Sequence, residues 1–496
     1  MPQIINTNIS SLNSQRHLNN TQSALSRSLE RLSSGKRINS AKDDAAGLGI
    51  SERMSAQVNG MNQAIRNARD GISMSQTAEG ALATSGDMLQ RIRTLAVQSS
   101  NATNSSADRQ ALQDEVNELS AELNRIATTT KFNGQNLLDG TLGAQNYQVG
   151  ANAGELISTT GTNFQTAVYG NNRTYTVSQV TADNTTTLSF AADDIVVSGR
   201  SGSTSALKLQ SQATTAKQAA AMINAETYKS GVTASAKTEA VLTATVSESY
   251  SIALSSNNAQ TDAVTVSFTI GTTLDADGYA SAVNAINAAS AKTGVVAEYS
   301  KELEGIKLTN AAGENIRIGE ITAVGDLEMD VVQYDASTDA QSLSGSAATI
   351  AAGSGSVTGN VAEAMGVVTL DSQSSFGVSG TVTDFDEAAS QLKAVATLDV
   401  TTFDKAQMAI AIADAAINTI NAERARYGAL QSRFESTITN LEVNSENTSN
   451  ARSRIKDADY AAETAELSRA SILQQAGTAM LAQANQMPQS VLSLIG

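Results

Sequence analysis

The sequence predicts a multidomain chain folded back on itself like a hairpin. Its termini are mainly α and pair as a long antiparallel helical bundle or coiled coil, and a β-rich α+β variable region is inserted between them. Three observations carry this. Residues 1 to about 130 and about 400 to 496 repeat apolar residues in heptads, and the only prolines, Pro2 and Pro488, lie near the two termini. The stretch between turns to Thr, Ser, Val, Asn and Gly, with alternating runs such as Val264 to Ile270 that read as strands. The net charge of −16 is concentrated in residues 176–399, where acidic residues outnumber basic ones more than two to one, while the rest is close to neutral. Near-neutral ends can pack on copies of themselves; a block of one sign repels its copies and stays solvated.

The elements follow in order. Residues 1–34 have helical spacing but few apolar residues, with one short stripe at Leu25, Leu29 and Leu32. Asp43 or Asp44 then suits an N-cap. Met54, Val58, Met61, Ile65, Ala68 and Ile72 step 4-3-4-3-4. A phase slip near Gly71 to Ser75 follows, and the pattern resumes at Ala78, Leu82, Ser85, Leu89, Ile92 and Ala96. One helix from about Asp44 to Ser99 is expected, about 80 Å long at 1.5 Å per residue. Gly60, Gly71, Gly80 and Gly86 lie inside it; each costs roughly 1 kcal/mol against alanine, so close packing of backbones is expected to compensate.

A polar turn at Asn101–Ser106 leads to a helix bearing Leu112, Val116, Leu119, Leu123 and Ile126. Near the other end the heptad runs Ala406, Ile410, Ala413, Ile417, Ile420, Tyr427, Phe434, Ile438, Leu441, interrupted by Arg424 and Gln431. Three such helices suggest an antiparallel bundle. A last stripe, Leu473, Ala476, Met480, Ala484, Met487, Val491 and Leu494, matches the first in weakness. Neither terminal stripe is expected to fold alone, given the cost of helix nucleation; both are expected to be disordered in the monomer and to order when copies supply the missing apolar surface.

The middle block repeats itself. Ile223-Asn224 and Gly231 to Ala234 return as Ile286-Asn287 and Gly294 to Ala297, each after a short alanine-rich helix (Ala219–Glu226 and Ala280–Ala288). Two small α+β modules in tandem are expected, followed by a Gly/Ser/Ala-rich stretch from Ser342 to Gly359. The expected division is 1–40 with 455–496, 41–175 with 400–454, and 176–399.

Chemistry is sparse. With no cysteine and one histidine there is no His/Cys metal site, no thiolate nucleophile and no Ser-His-Asp triad unless His17 supplies it, and His17 reads as a solvated side chain. Asp43-Asp44 reads as helix-start chemistry and Asp193-Asp194 as a solvated loop rather than metal ligands. No phosphate-binding glycine motif or HExxH occurs, so no enzyme, catalytic residue, metal or cofactor is expected. No basic stripe invites nucleic acid. No stretch of 18 apolar residues spans a membrane, and the first twenty residues do not read as a cleaved signal.

The ends carry a resemblance. Asn6 onward (NTNISSLNSQRHLNNTQSAL), Ser28 to Met54 (SLERLSSGKRINSAKDDAAGLGISERM) and Ser453 to Gly496 (SRIKDADYAAETAELSRASILQQAGTAMLAQANQMPQSVLSLIG) resemble the terminal signatures of bacterial flagellins. The resemblance implies a structural subunit that polymerises into the extracellular flagellar filament for swimming motility. Its export would run through the flagellar type III system, with an export chaperone on the C-terminal stripe and the filament's cap and junction proteins as further partners. The subunit interface implied is Leu25, Leu29, Leu32, Leu473, Met480, Met487, Val491 and Leu494. Flagellins are also ligands of a Toll-like innate immune receptor. The corresponding motif here is Gln90 to Ala96, with Arg91, Leu95 and Glu115 matching and Thr94 standing where glutamate is usual. A hook–filament junction protein is the alternative reading; an adhesin and an enzyme inserted in the middle block are the others.

Overall fold

The computed structural model describes residues 7–182, 195–209, 215–322, 326–350, 361–380 and 388–495, with residues 188, 190, 385 and 386 between them. Asp193-Asp194 and residues 351–359 of the Gly/Ser/Ala-rich stretch lie outside the described residues. Nine helices are described: α1 Ile9–Ser34, α2 Ala45–Ser99, α3 Ser106–Thr129, α4 Ala216–Ala225, α5 Thr227–Ser230, α6 Ala276–Ala288, α7 Ser290–Thr293, α8 Phe403–Lys456 and α9 Tyr460–Ile495. The mainly α ends and β-rich insert are therefore as the sequence predicts.

The chain forms two compact units: Met1–Glu79 with Leu142–Gly161 and Arg426–Gly496, and Gly80–Thr141 with Thr162–Ala425. In the first, the opening of α2 packs with the end of α8 and a hairpin of β1 Ala144–Gln148 and β2 Leu156–Thr160. Asp44 caps α2 by accepting from Gly47 N–H at 2.8 Å. The expected phase slip is visible in burial: Ile65, Ala68, Gly71, Ser75, Ala78 and Leu82 face inward, stepping 3-3-4-3-4. The extra step of three is a stammer, which locally overwinds the seam. Gly71 sits there because Phe434 of α8 fills the space; a β-carbon on Gly71 would lie 2.7 Å from the ring. Gly60 likewise faces Ala151, at 3.0 Å. Gly80 meets nothing within 4 Å and Gly86 only Ile420 at 3.9 Å, so close packing explains two of the four glycines.

In the second unit, α3 starts with a capping box between Ser105 and Asp108. Its buried Gln113 binds the segment before α8, donating to Leu398 O at 3.0 Å and accepting from Val400 N–H at 2.6 Å. The β-rich part holds β3 Gly170–Tyr175, β4 Val196–Gly199, β5 Gly202–Ser203, β6 Thr233–Ala244, β7 Ser249–Ser255, β8 Val264–Thr269, β9 Val296–Ser300, β10 Gly305–Asn310, β11 Ile316–Thr322, β12 Leu327–Tyr334, β13 Val361–Met365, β14 Val367–Ser372, β15 Gly377–Ser379 and β16 Gln391–Ala394. One sheet runs β9-β10-β6-β14-β3-β16, with β12 also on β6. Another runs β8-β7-β11-β13 and then Gln179–Thr181.

The repeat is real in three dimensions. Asn224 donates to Ala234 O at 2.7 Å and accepts from Ala234 N–H at 2.8 Å; Asn287 does the same to Ala297, at 2.8 Å both ways. Gly231 and Gly294 end their helices with φ of 74° and 73°, a left-handed conformation that glycine adopts without strain. The tandem arrangement is not found. The first copy's helices lead into β6, whose antiparallel partner β14 comes only after the whole second copy.

Candidate assembly surface

Sequence reading left both terminal stripes without an intramolecular partner. The structure supplies one: α1 and α9 are helices that lie antiparallel on each other within the first unit. Small residues of α9 meet a row of leucines headed by a serine on α1, with polar side chains between. Ala470, Gly477 and Ala484 recur every seven residues on α9, and Ser11, Leu18, Leu25 and Leu32 every seven on α1. Leu18 packs over Gly477, where a β-carbon would be 3.3 Å from Leu18 Cδ1. Asn8 donates to Ala484 O at 2.8 Å, Ser11 to Asn485 Oδ1 at 2.8 Å, Gln474 to Gln22 Oε1 at 2.5 Å, and Tyr460 to Leu32 O at 3.3 Å. The loop after α1 is tied as well: Arg37 donates to Ile455 O at 2.6 Å, and Lys36 pairs with Asp457 as an isolated bridge.

A seam of this composition buries little apolar area. Ser11, Ser28, Ala470 and Ala484 are its fully buried members, while Ile9, Leu12, Leu29, Ile472, Leu473 and Met480 are 52–65% exposed. Ile472, Ala476 and Met480 follow one another at i, i+4 and i+8, with Leu473 beside them, so α9 presents one apolar face away from α1. Of the expected interface residues, Leu29, Leu473 and Met480 lie exposed, whereas Leu25 and Leu32 are half-buried. The side chains of Met487, Val491 and Leu494 lie outside the described residues. Ile9, Leu12 and Ile472, which stand in no continuous heptad, are exposed as well.

The expected receptor residues divide. Arg91 and Glu115 form an ion pair at 2.7 Å, both about half exposed, and the neighbouring Arg93 pairs with Asp414 at 2.6 Å. Leu95 is fully buried, as are Ile92 and Ala96. Among the described residues no group of three or more His, Cys, Asp or Glu could hold a metal, and no helix is long and apolar enough to cross a membrane. His17 is exposed.

Buried charge gathers elsewhere in the second unit. Lys307 Nζ lies 3.1 Å from Glu239 and 3.3 Å from Asp404, and Lys237 lies 2.9 Å from Glu239. Tyr334 donates to Glu239, and Gln341 to Asp404 at 3.0 Å. Burial by itself would raise the Asp404 carboxyl, but Lys237 and Lys307 outweigh it and hold it below the usual carboxylate range.

The class is a chain whose two ends close one helical unit and whose interior carries a β-rich insert. Residues 5–142 match the bacterial flagellin N-terminal helical region and residues 410–495 the bacterial flagellin C-terminal helical region. The chain is 42% identical to the B-type flagellin of Pseudomonas aeruginosa over 99% of both chains, and 34% identical to flagellin D of Vibrio anguillarum, again over 99% of both. Among solved structures it is similar to FliC from Burkholderia pseudomallei, at 19% identity over 73% of this chain and 99% of that one, with a TM-score of 0.30 that says nothing of how the parts are arranged. The chain belongs to the bacterial flagellin family, and with it to the structural subunits of the flagellar filament.

Proposed function

We propose that this subunit polymerises through the apolar faces of its terminal helices. Residues 1–40 and 455–496 would line the filament core, 41–175 and 400–454 would surround them, and 176–399 would face solvent. The observation that carries the reading is the α1–α9 pair itself: its seam sets a row of half-buried leucines on α1 against small residues of α9, and Ile9, Leu12, Leu29, Ile472, Leu473 and Met480 point outward. Each Leu or Met newly buried is worth roughly 1.5–3 kcal/mol. A few per neighbour, repeated over several neighbours, favour a polymer, and a heterologous contact that does not close produces a helical one. Because the seam buries so little, the pair is marginal in the free subunit and gains order on assembly.

Export through the flagellar type III system is part of the same proposal. A chaperone would cover the Ile472–Met480 face before export, and cap and junction proteins would meet the same ends at the filament's tips. Recognition by a Toll-like receptor would rest on the exposed Arg91–Glu115 pair, with Leu95 supporting α2 from within. Electron microscopy of the full-length protein beside a copy lacking residues 1–34 and 455–496 tests the central claim. Filaments from the intact chain alone are expected; filaments from both would refute a role for the terminal faces.

A further inference from the structure

We infer that the β-rich block is a module inserted into the hairpin of its own duplicate, and that the Lys237/Val367 junction is an insertion site for a self-contained domain. Two modules have the same order of parts. The outer one reads β4-β5 hairpin, α4-α5, β6, β14, β15, with β15 pairing back on β4. The inner one reads β7-β8 hairpin, α6-α7, β9, β10, β11, with β11 pairing back on β7. The register agrees at the asparagine clasp: Ala234 faces Leu370 in the outer module, and Ala297 faces Leu308 in the inner. The helix ends agree too. Val232 N–H donates to Ser230 Oγ and Val295 N–H to Thr293 Oγ1, and Gly231 and Gly294 each donate to the residue four back at 2.7 Å.

The difference lies in one connection. In the inner module β9 reaches β10 through the turn Lys301–Glu304, exposed except for Leu303, which packs on Val241 and Val332; Glu304 takes a left-handed φ of 51°. In the outer module the same connection, from Lys237 to Val367, contains the entire inner module. Lys237 and Val367 are register partners, so an inserted domain must have ends one strand spacing apart, about 5 Å. β6 crosses the boundary: Thr233–Lys237 pairs with β14, and Thr238–Leu242 with β10.

The apolar cores respect the same boundary. Phe190, Val197, Ile223, Val232, Leu370, Phe376 and Val378 belong to one cluster, and no member lies between Ala236 and Met365. Leu242, Tyr250, Phe268, Tyr279, Ile286, Leu308 and Met329 belong to another, whose buried members run from Ala240 to Ala364; Val180 packs on it from outside, on the strand Gln179–Thr181 that pairs with β13. Apolar contact across the junction is confined to a small patch, where Val367 packs with Ala336 and Tyr334 beside Tyr175. The remaining contacts are polar: Lys237 donates to the Tyr334 hydroxyl at 2.8 Å, and Asp339 accepts from Tyr175 at 2.8 Å and pairs with Lys393 at 2.6 Å. Water can replace such contacts at modest cost, whereas it cannot replace a shared apolar core.

The test uses the full chain in two forms. First, Thr238–Gly366 is replaced by the inner module's own turn, Lys-Glu-Leu-Glu, which removes Met365 from the outer core. Amide exchange across 196–237 and 367–379 is expected to stay as slow as in the parent. Second, Asn287→Ala in the otherwise intact chain is expected to speed exchange across 249–322 by about tenfold or more while leaving 196–237 unchanged. Exchange that rises together in both modules of Asn287→Ala would show one cooperative body and overturn the inference. So would loss of outer-module protection in the turn-grafted chain when Met365→Ala alone leaves it intact.

Discussion

Alanine at Gly71 and alanine at Gly80 should move stability in opposite directions, although both glycines lie inside α2. Helix propensity treats them alike: each replacement should gain roughly 0.5–1 kcal/mol. At Gly80 nothing lies within 4 Å of the new methyl, so that gain should appear in full. At Gly71 the methyl would lie 2.7 Å from Phe434 Cζ. Phe434 has nowhere to go. It is fully buried, and Tyr147 meets it edge-on at 5.5 Å while donating to Met74 Sδ at 2.8 Å. Overpacking of this kind costs about 1–3 kcal/mol, so Gly71→Ala should be destabilising by up to about 2 kcal/mol net. Amide exchange along α2 under native conditions reports both sites without assuming that a chain of this size unfolds in one step. A double-mutant cycle with Phe434→Ala should remove the penalty and return the propensity gain. If Gly71→Ala alone stabilises α2 as much as Gly80→Ala does, the ring does not occupy the stammer and the explanation of that glycine fails.

Other outcomes follow from the same geometry. Met480→Lys should leave the circular dichroism and melting of the subunit within about 0.5 kcal/mol of the parent, because the side chain is mostly exposed, yet abolish seeded polymerisation measured by sedimentation. Gln113→Ala strands the Val400 N–H and the Leu398 carbonyl and should cost about 1–3 kcal/mol, read as faster exchange at Val400. Acid should loosen the Asp404 cluster. The carboxyl is depressed when folded, so its stabilisation is complete above the ordinary value of 3.8 and is lost as pH falls through the lower folded value. Proteolysis of residues 237–341 should therefore accelerate below about pH 4 in the parent. In Asp404→Asn that pH dependence should be blunted.

Legibility differed with the kind of signal. Heptads in α2, α3 and α8 exposed both the helices and their buried faces, because a seam that packs on one neighbour repeats every 3.5 residues. Even the phase slip at Gly71 was readable. What stood there was not, since the cause, Phe434, is hundreds of residues away in sequence. The terminal surface was half legible. Leu29, Leu473 and Met480 are exposed, but the seam beside them sets Leu18, Leu25 and Leu32 with Ser11 against Ala470, Gly477 and Ala484, and of these only Leu25, Leu32 and Ala484 stand in a hydrophobic stripe. The receptor motif shows the reverse: Leu95 matches a family position, yet it lies between two heptad members, Ile92 and Ala96, and is buried with them.

The modules show why a repeat can be seen and still be misplaced. An offset shared by Ile223-Asn224 and Ile286-Asn287 fixes only the order in which two copies begin. Tandem and nested copies begin in the same order; they differ in where the first copy ends. That information lies in the return strands, Gly305 to Asn310 and Gly366 to Ser372, each a glycine followed by a few β-formers. Such a pattern is too plain to be matched by eye across a chain rich in both. Pairing settles it physically. A strand such as β6 cannot leave its first half unpaired while a whole module is built, unless its partner arrives later and restores the ladder. β14 does so from Val367 to Asp371, opposite Lys237 to Thr233. The outer module is thus completed last in sequence, and its β6–β14 pairing is the long-range contact whose closure entropy falls if the inner module has already drawn its own ends together.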